Sequence, residues 1–418
     1  MAASKIADLA GALASEGLER AASAQPDLPR DAEWAKVRDV GTRLWLDTGD
    51  LDEARRLYTA EFEALTTNNT LLNKEVQKGI YDEFVPKAAG ALRDADPALS
   101  ERELLLEIAF ILNARHGLRL VEAFGARVSV ELHTDLADDV ERSVAYGLRY
   151  HAVCPERFIV KVPFTAAGLL AARELGRQGV PVNFTLGFSA RQNRLAAILA
   201  DPNWVNVFMG RLNAFVSDNG LGSGKNVGEK ATLSTQRELI ALREAGRTRS
   251  RLIGASMREG AQVAALAGLD VFTMPTKVAA QYREAPAETL TSRVLDDPEV
   301  PLAPGVTPEA FGGDTLWEVT PDFRAAVDAL MAAGPDQLTP DAVIAHFERT
   351  TVRGIFPRFS DDDVAVAARD GKIPVLDHWK ERLQSGEVGL DALMNLSALH
   401  SFVADQKALD DRVQSLIT

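Results

Sequence analysis

The chain has 418 residues, 46% apolar and 25% charged, with a net charge of −14; that balance is ordinary for a globular protein and excludes a broad footprint for a nucleic-acid backbone, while leaving room for a local basic pocket. A single cysteine, Cys154, excludes an intrachain disulfide framework. The start shows no basic segment followed by an apolar core, and no stretch approaches the roughly 18 apolar residues of a membrane span, so a cytoplasmic protein with no membrane partner is expected.

Residues 1–40 read as one or two amphipathic helices broken by AQPDLP (24–29). Eight short β-type runs follow: LWLDT (44–48), EALTTN (63–68), RVSVELH (127–133), FIVKVP (158–163), VNFTL (182–186), WVNVFM (204–209), RLIGAS (251–256) and VFTMP (271–275). Helical stretches separate them, such as DLDEARRLYTAEF (50–62) and AAGLLAARELGRQG (166–179), the latter with Gly179 as its stop signal. Alternation of this kind predicts a parallel sheet, and eight repeats predict a closed (β/α)8 barrel of the TIM type over residues 41–285. An open doubly wound sheet competes, but no GxGxxG turn follows any early run. From 286 to 418 the pattern changes to a loop rich in Pro and Gly, PEVPLAPGVTPEAFGGD, and then to helices, among them 321–334, 339–350 and a last one over 389–417 with a strong apolar stripe. This tail reads as a helical extension packed on the barrel or as a subunit contact, which allows a homodimer, with a lid over the pocket as the functional alternative.

Two features mislead. NGLGSGKNVGEKAT (219–232) looks like a phosphate-binding loop, but GxxxxGK[ST] needs Gly at 219 and Ser or Thr at 226, and the chain has Asn219 and Asn226. A mobile loop at the barrel rim is expected there. The six histidines (116, 133, 151, 346, 378, 400) are scattered without ligand spacing, so no metal site is expected.

Lys161 lies in the middle of the apolar run FIVKVP. A strand lysine ordinarily covers apolar neighbours with its stem and reaches water with its ammonium. Held in an apolar pocket instead, it loses hydration of the charged form, and the free amine is a nucleophile toward carbonyls. The other runs inform this choice, because chemistry in such barrels sits at the C-terminal strand ends. Reading off those ends gives Asp47, Thr66, Asn68, Glu131, Lys161, Asn183, Thr185, Arg211, Ser256 and Arg258. Singly each has a plain explanation: Asp47, Asn68 or Ser256 as turn starters or helix caps, Arg211 in a surface ion pair. Together they converge on one face.

At this point the chain resembles the transaldolase family. LWLDTGDLDEAR, EALTTNNTLL, VSVEL, FIVKVPFTAAGLLAARELGRQGVPVNFTLGFS, VFMGRL and IGASMR occur in the family's order over roughly 42–280, and SFVADQKALDDRV is similar to the family's end. The resemblance implies a mechanism without metal or organic cofactor. Lys161 would form an imine with the C2 carbonyl of a ketose phosphate. Asp47 would take the C4 hydroxyl proton, and Glu131 with Thr185 would hold the water that shuttles protons. Thr66, Asn68, Asn183, Asn206 and Phe208 would contact the sugar. Arg211, Ser256 and Arg258 would clamp the phosphate.

The chain departs from the family pattern at two of these places. Asn69 stands where the pattern has proline, and Asn206 where it has serine. Phe208 keeps the family's phenylalanine, which favours transfer over release of the three-carbon unit. The readings left open are a transaldolase moving a dihydroxyacetone unit from fructose 6-phosphate or sedoheptulose 7-phosphate to an aldose phosphate, a related lysine-dependent aldolase releasing dihydroxyacetone or specialised transaldolase with altered donor or acceptor, and a barrel that binds sugar phosphate without catalysis.

Overall fold

The computed structural model describes residues 2–18, 26–352 and 354–417. Eight parallel strands close into one barrel in chain order: β1 (Arg43–Asp47), β2 (Phe62–Thr66), β3 (Arg127–Glu131), β4 (Phe158–Pro163), β5 (Val182–Thr185), β6 (Trp204–Phe208), β7 (Arg251–Ala255) and β8 (Val271–Pro275). All eight lie on the predicted runs, with ends shifted by a residue or two. The ends of β2 and β3 fall two residues early; after β2, Thr67 and Asn68 leave the strand and Asn68 caps the next helix by accepting from Leu71 N at 2.8 Å.

Pleating explains how one strand serves two environments, because successive side chains face opposite sides. On β4, Phe158, Val160 and Val162 belong to the outer core beneath the helices, whereas Ile159 belongs to a separate cluster inside the barrel with Trp45, Ala64, Trp204, Ile253, Ala255 and Val271. The rings of Trp45 and Trp204 meet edge-on at 5.0 Å and fill the barrel's lower half.

The helices begin and end where local chemistry dictates. Glu101–Phe124 opens with a Ser100/Glu103 capping box and stops at Gly125, which is left-handed at φ 61°. The helix after β4 spans Ala166–Arg177, with Gly179 at φ 80° just beyond its cap. The helix expected over 50–62 covers only Leu51–Leu57. Tyr58 turns extended and packs its ring on Phe62 and Phe124, so Phe62 starts β2 instead.

Before the barrel lie helices Ala2–Ser15 and Ala32–Asp39. Of the break expected at AQPDLP, residues 24 and 25 lie outside the described residues, and 26–29 are non-helical. After the barrel the tail forms helices Pro321–Ala332, Pro340–Glu348, Asp361–Asp370 and Leu390–Ile417. The last, the terminal helix, packs against Asn69–Gln77, Phe84–Ala95, Glu101–Phe124 and Asp361–Asp370. No described helix is long and apolar enough to cross a membrane.

The segment expected as a mobile rim loop is instead fastened. Gly222 bridges Leu302, Ser223 N donates to Pro301 O, and Asn226 Nδ2 donates to Glu299 O at 2.8 Å. Gly222 is required by that contact, since a Cβ there would meet Pro301 O at 2.4 Å.

Candidate active site

Two residues beyond the inner apolar layer, the same inward face turns polar. Trp45 leads to Asp47, Ala64 to Thr66, Ile159 to Lys161, Trp204 to Asn206 and Val271 to Thr273. Strand pairing sets these groups side by side, with Asp47 opposite Thr66, Glu131 opposite Lys161, and Lys161 opposite Asn183. Asp47, Thr66, Asn68, Lys161, Asn183, Asn206, Phe208, Arg211, Ser256 and Arg258 line one cavity of about 240 Å³ at the C-terminal end of the barrel. Glu131 and Thr185 do not line it and are buried behind its wall.

Lys161 is 4% exposed. Its Nζ lies 3.4 Å from Glu131 Oε1, donates to Thr67 O at 3.4 Å, and sits 5.7 Å from the centre of the Phe402 ring. Burial pushes the Glu131 carboxyl above its ordinary value, and the Lys161 ammonium opposes this. Asn69 N also donates to Glu131 Oε2 at 3.1 Å.

Asp47 accepts from Thr66 Oγ1 at 2.6 Å, and the Thr66 and Thr273 hydroxyls lie 2.6 Å apart. A hydroxyl has one proton to give. With Thr66 donating to Asp47, Thr273 must donate to Thr66, which makes a directed chain ending at the carboxylate. Burial pushes Asp47 up, and the Thr66 hydrogen bond offsets part of that.

Asn183 Nδ2 donates to Ser129 Oγ at 3.1 Å, Asn206 Nδ2 to Asn183 Oδ1 at 3.2 Å, and Gly187 N to Asn206 Oδ1 at 3.3 Å. Thr185 Oγ1 is buried with no hydrogen-bond partner among the described residues.

The opposite end of the cavity is cationic. Arg211 and Arg258 form no ion pair among the described residues. Burial lowers the Arg211 guanidinium to about 10, with Arg258 adding to the effect, and burial lowers Arg258 as well. The two come close because Gly210 has no side chain: a Cβ there would meet Ser256 O at 2.2 Å and Arg258 Nε at 2.8 Å. Ser256 holds φ 61°, a left-handed conformation that is strained for serine. Two guanidiniums facing one cavity without an ion-paired carboxylate, Arg211 buried and Arg258 exposed, with Asp405 and Asp47 acting on them only at a distance, make a site for an anion.

The plain alternatives divide. Asn68 does cap a helix while also lining the cavity. Asp47 caps nothing, since Asp50 caps the helix after β1. Ser256 is not a cap either, because Gly260 precedes helix Ala261–Ala265. Arg211 is buried, not in a surface pair.

The cavity also holds residues that sequence reading missed. Lys74 and Thr70 come from the helix after β2, and Thr273 from β8, where its period-two spacing from Pro275 marks an inward position. Lys372, Phe402 and Asp405 come from the tail. Arg211 Nη1 donates to Lys372 O at 3.3 Å, and Thr70 Oγ1 to Asp405 Oδ2 at 2.5 Å. The side chain of Asn219 clasps the Lys372 turn by donating to Pro374 O at 3.0 Å and accepting from Leu376 N at 2.7 Å. No group of three His, Cys, Asp or Glu side chains among the described residues is arranged to hold a metal ion. Another cavity, about 370 Å³, opens between tail segments beside Asp314, Glu318 and Asp322; its acidic wall does not suit an anionic substrate.

Residues 44–304 match the model of the Transaldolase/Fructose-6-phosphate aldolase family. The chain is 29% identical over 321 residues to a protein named transaldolase from Xanthomonas euvesicatoria pv. vesicatoria, covering 73% of this chain and 97% of that one. It is 33% identical over 258 residues to a probable transaldolase from Thermus thermophilus, covering 61% of this chain and 96% of the relative.

Proposed function

The chain belongs to the Transaldolase/Fructose-6-phosphate aldolase family and is a transferase of aldehyde or ketone residues; on that premise we propose that it moves a dihydroxyacetone unit between sugar phosphates through an imine on Lys161. The observation that carries this reading is the buried Lys161 amine 3.4 Å from Glu131, in one cavity with Asp47 and two guanidiniums that form no ion pair among the described residues. Binding alone needs no buried lysine.

Lys161 attacks C2 of fructose 6-phosphate or sedoheptulose 7-phosphate, and water leaves as the imine forms. Glu131 and the unpartnered Thr185 hydroxyl hold that water and pass its protons. Asp47, oriented by the Thr273–Thr66 chain, takes the C4 hydroxyl proton. The C3–C4 bond breaks, its electrons moving into the imine to give an enamine, and the aldose phosphate leaves. An acceptor aldose phosphate then bonds to the enamine carbon, and hydrolysis frees Lys161. Asn68 and Asn183 hold the sugar hydroxyls, and Arg211, Ser256 and Arg258 hold the phosphate. Phe208 offers no hydroxyl that could protonate the enamine, which favours transfer over release. Lysine imine chemistry supplies its own electron sink, so the reading calls for no metal or organic cofactor.

We further take 1–40 as an N-terminal helical extension, 41–285 as the catalytic barrel and 286–418 as a helical extension packed on it, in a cytoplasmic enzyme that allows a homodimer. A second reading keeps the lysine chemistry with a different donor. Asn206 supports it, because both ends of its amide are engaged by Asn183 and Gly187, leaving it less free to meet the donor's terminal hydroxyl.

The test is reductive trapping with fructose 6-phosphate and borohydride, followed by peptide mass spectrometry. A reduced three-carbon adduct on Lys161 that declines when erythrose 4-phosphate is added is the expected result. No adduct, or an adduct on another lysine, with every ketose phosphate tried would count against the reading.

A further inference from the structure

The geometry points to Asn69 as a positioning residue that acts through its main chain: its N–H holds the Glu131 carboxylate in place against Lys161. The inference rests on the proposed role of Glu131 in moving protons for the lysine. Asn69 N donates to Glu131 Oε2 at 3.1 Å while Lys161 Nζ approaches the other oxygen, Oε1, at 3.4 Å. The carboxylate is thus held from both sides. Glu131 is 3% exposed and Asn69 2%, so both contacts are shielded from bulk solvent.

Asn69 is itself fixed. Its Nδ2 donates to Leu132 O at 3.2 Å, and its Oδ1 accepts from Asn113 Nδ2, which also donates to Glu131 O at 2.8 Å. The side chain and main chain of one residue therefore grip the end of β3 at two adjacent residues.

Asn69 is the first residue of its helix, where the N–H has no partner within the helix. Such a donor beside a carboxylate favours the ionised form, and the helix N-terminus adds to this. The charged and titratable groups around Glu131 are Lys161 on β4, Asp47 on β1 and the Tyr150 phenol on helix Val140–Val153. Burial raises Glu131 most and Asp47 adds to the rise, while Lys161 and then the Asn69 N–H oppose it; the Asn69 N–H is the opposing group that does not itself titrate.

Proline stands at this position in the family pattern, and proline has no N–H to give. The departure noted in the sequence thus has a physical consequence: this chain's Glu131 receives a hydrogen bond that a TTNP turn cannot supply. The backbone permits the direct comparison. Proline suits the first helical position, and Asn68 before it is extended at φ −157°, ψ 171°, as a residue preceding proline prefers.

The experiment compares N69P, which removes the N–H, with N69A, which keeps it and removes only the side-chain contacts. Glu131 protonation is followed in the full-length protein by difference infrared spectroscopy, with E131Q used to assign the carboxyl band. N69P should titrate Glu131 about one pH unit higher than wild type, the scale of one lost hydrogen bond to a carboxylate. N69A should stay at the wild-type midpoint whatever its rate. The acidic limb of kcat/KM should move with N69P in the same direction. An N69P midpoint equal to wild type, or equal displacement in N69P and N69A, overturns the assignment. The infrared titration does not depend on turnover. Absence of a Lys161 adduct in the wild type would count against the imine reading alone, and the titration would still decide Asn69.

Discussion

Arg211 donates to the main-chain carbonyl of Lys372 at 3.3 Å, across 161 residues of sequence. Lys372 lies beyond the segment 44–304 that matches the family, yet it lines the same cavity as Arg258 and Ser256. The tail is therefore part of the cavity wall, and it brings the exposed Lys372 to the rim of the positive end. Neutralising it in K372M should raise KM for phosphorylated donors roughly fivefold, the scale of a partly exposed charge contact. It should leave kcat and the use of unphosphorylated dihydroxyacetone little changed. A steady-state comparison of the two substrate types checks this, and an equal effect on both would mean the residue only supports the turn held by Asn219.

The two arginines should behave more severely, Arg211 because it is buried and Arg258 because it lines the same cavity beside it, though its side chain is exposed. R211A should weaken binding of phosphorylated substrates roughly 100-fold, as expected for a buried charge contact, and R258A by less, since its side chain is exposed. The same site predicts stabilisation by plain anions. Inorganic phosphate at 100 times its Kd should add about 2.7 kcal/mol to the stability of the wild type. Thermal melts in a phosphate series should show that rise in the wild type and lose it in R258A.

Much of this site was legible because the strand period is two. Lys161 in FIVKVP could be placed on the inward face with Ile159 once a barrel was expected, and Asp47 follows Trp45 by the same count. The contributions of Lys372, Phe402 and Asp405 were not legible. They reach the cavity by tertiary packing from more than 200 residues after Lys161, and nothing in their local spacing marks it. The Asn69 contact was hidden for a different reason. It uses a main-chain donor, which every residue but proline has, so the residue type signals only that the donor exists. The fastened loop at 219–232 was misjudged because glycine signals either freedom or close contact, and at Gly222 the neighbouring backbone of Pro301 decides for contact.

The Asp47 carboxyl has a pKa raised by burial, and its sign has a consequence for stability. A carboxyl that holds its proton more tightly when folded makes ionisation a cost to the fold. That cost appears as pH rises from the unfolded value toward the raised one, and it is complete above both. D47N should therefore melt higher than wild type at pH 7 while losing transfer activity. The gain should vanish in melts below the ordinary carboxylate range, where both proteins are neutral at this position. For catalysis the same shift means that the acidic limb of kcat/KM lies above the usual value for Asp. Because Glu131 faces the same lysine and is also raised, the limb reports the pair rather than either group.

The terminal helix reaches the cavity only if it is held there, and one buried ion pair does much of the holding. Asp391 is fully buried near the start of that helix, with Arg191 Nε donating to Oδ2 at 2.7 Å, Arg191 Nη2 to Oδ1 at 2.6 Å, and Ser189 Oγ to Oδ2 at 2.6 Å. Arg191 and Ser189 lie just after β5, so the pin fixes the helix to the strand that carries Asn183 and Thr185. Removing the carboxylate in D391A leaves a guanidinium buried without a partner, which costs about 3 kcal/mol or more. At the far end the helix keeps its own contacts, since Asp410 accepts from Arg102 Nη1 at 2.7 Å. The helix should therefore loosen from its N-terminal half, not detach. Phe402 and Asp405 sit between the two pins and line the cavity, so loosening should lower kcat as well as Tm. Hydrogen exchange should localise the change: amides of 390–402 should lose protection in D391A while those of β4 keep it. Uniform loss of protection across the barrel strands would instead make Asp391 a determinant of global stability, with no particular hold on the cavity roof.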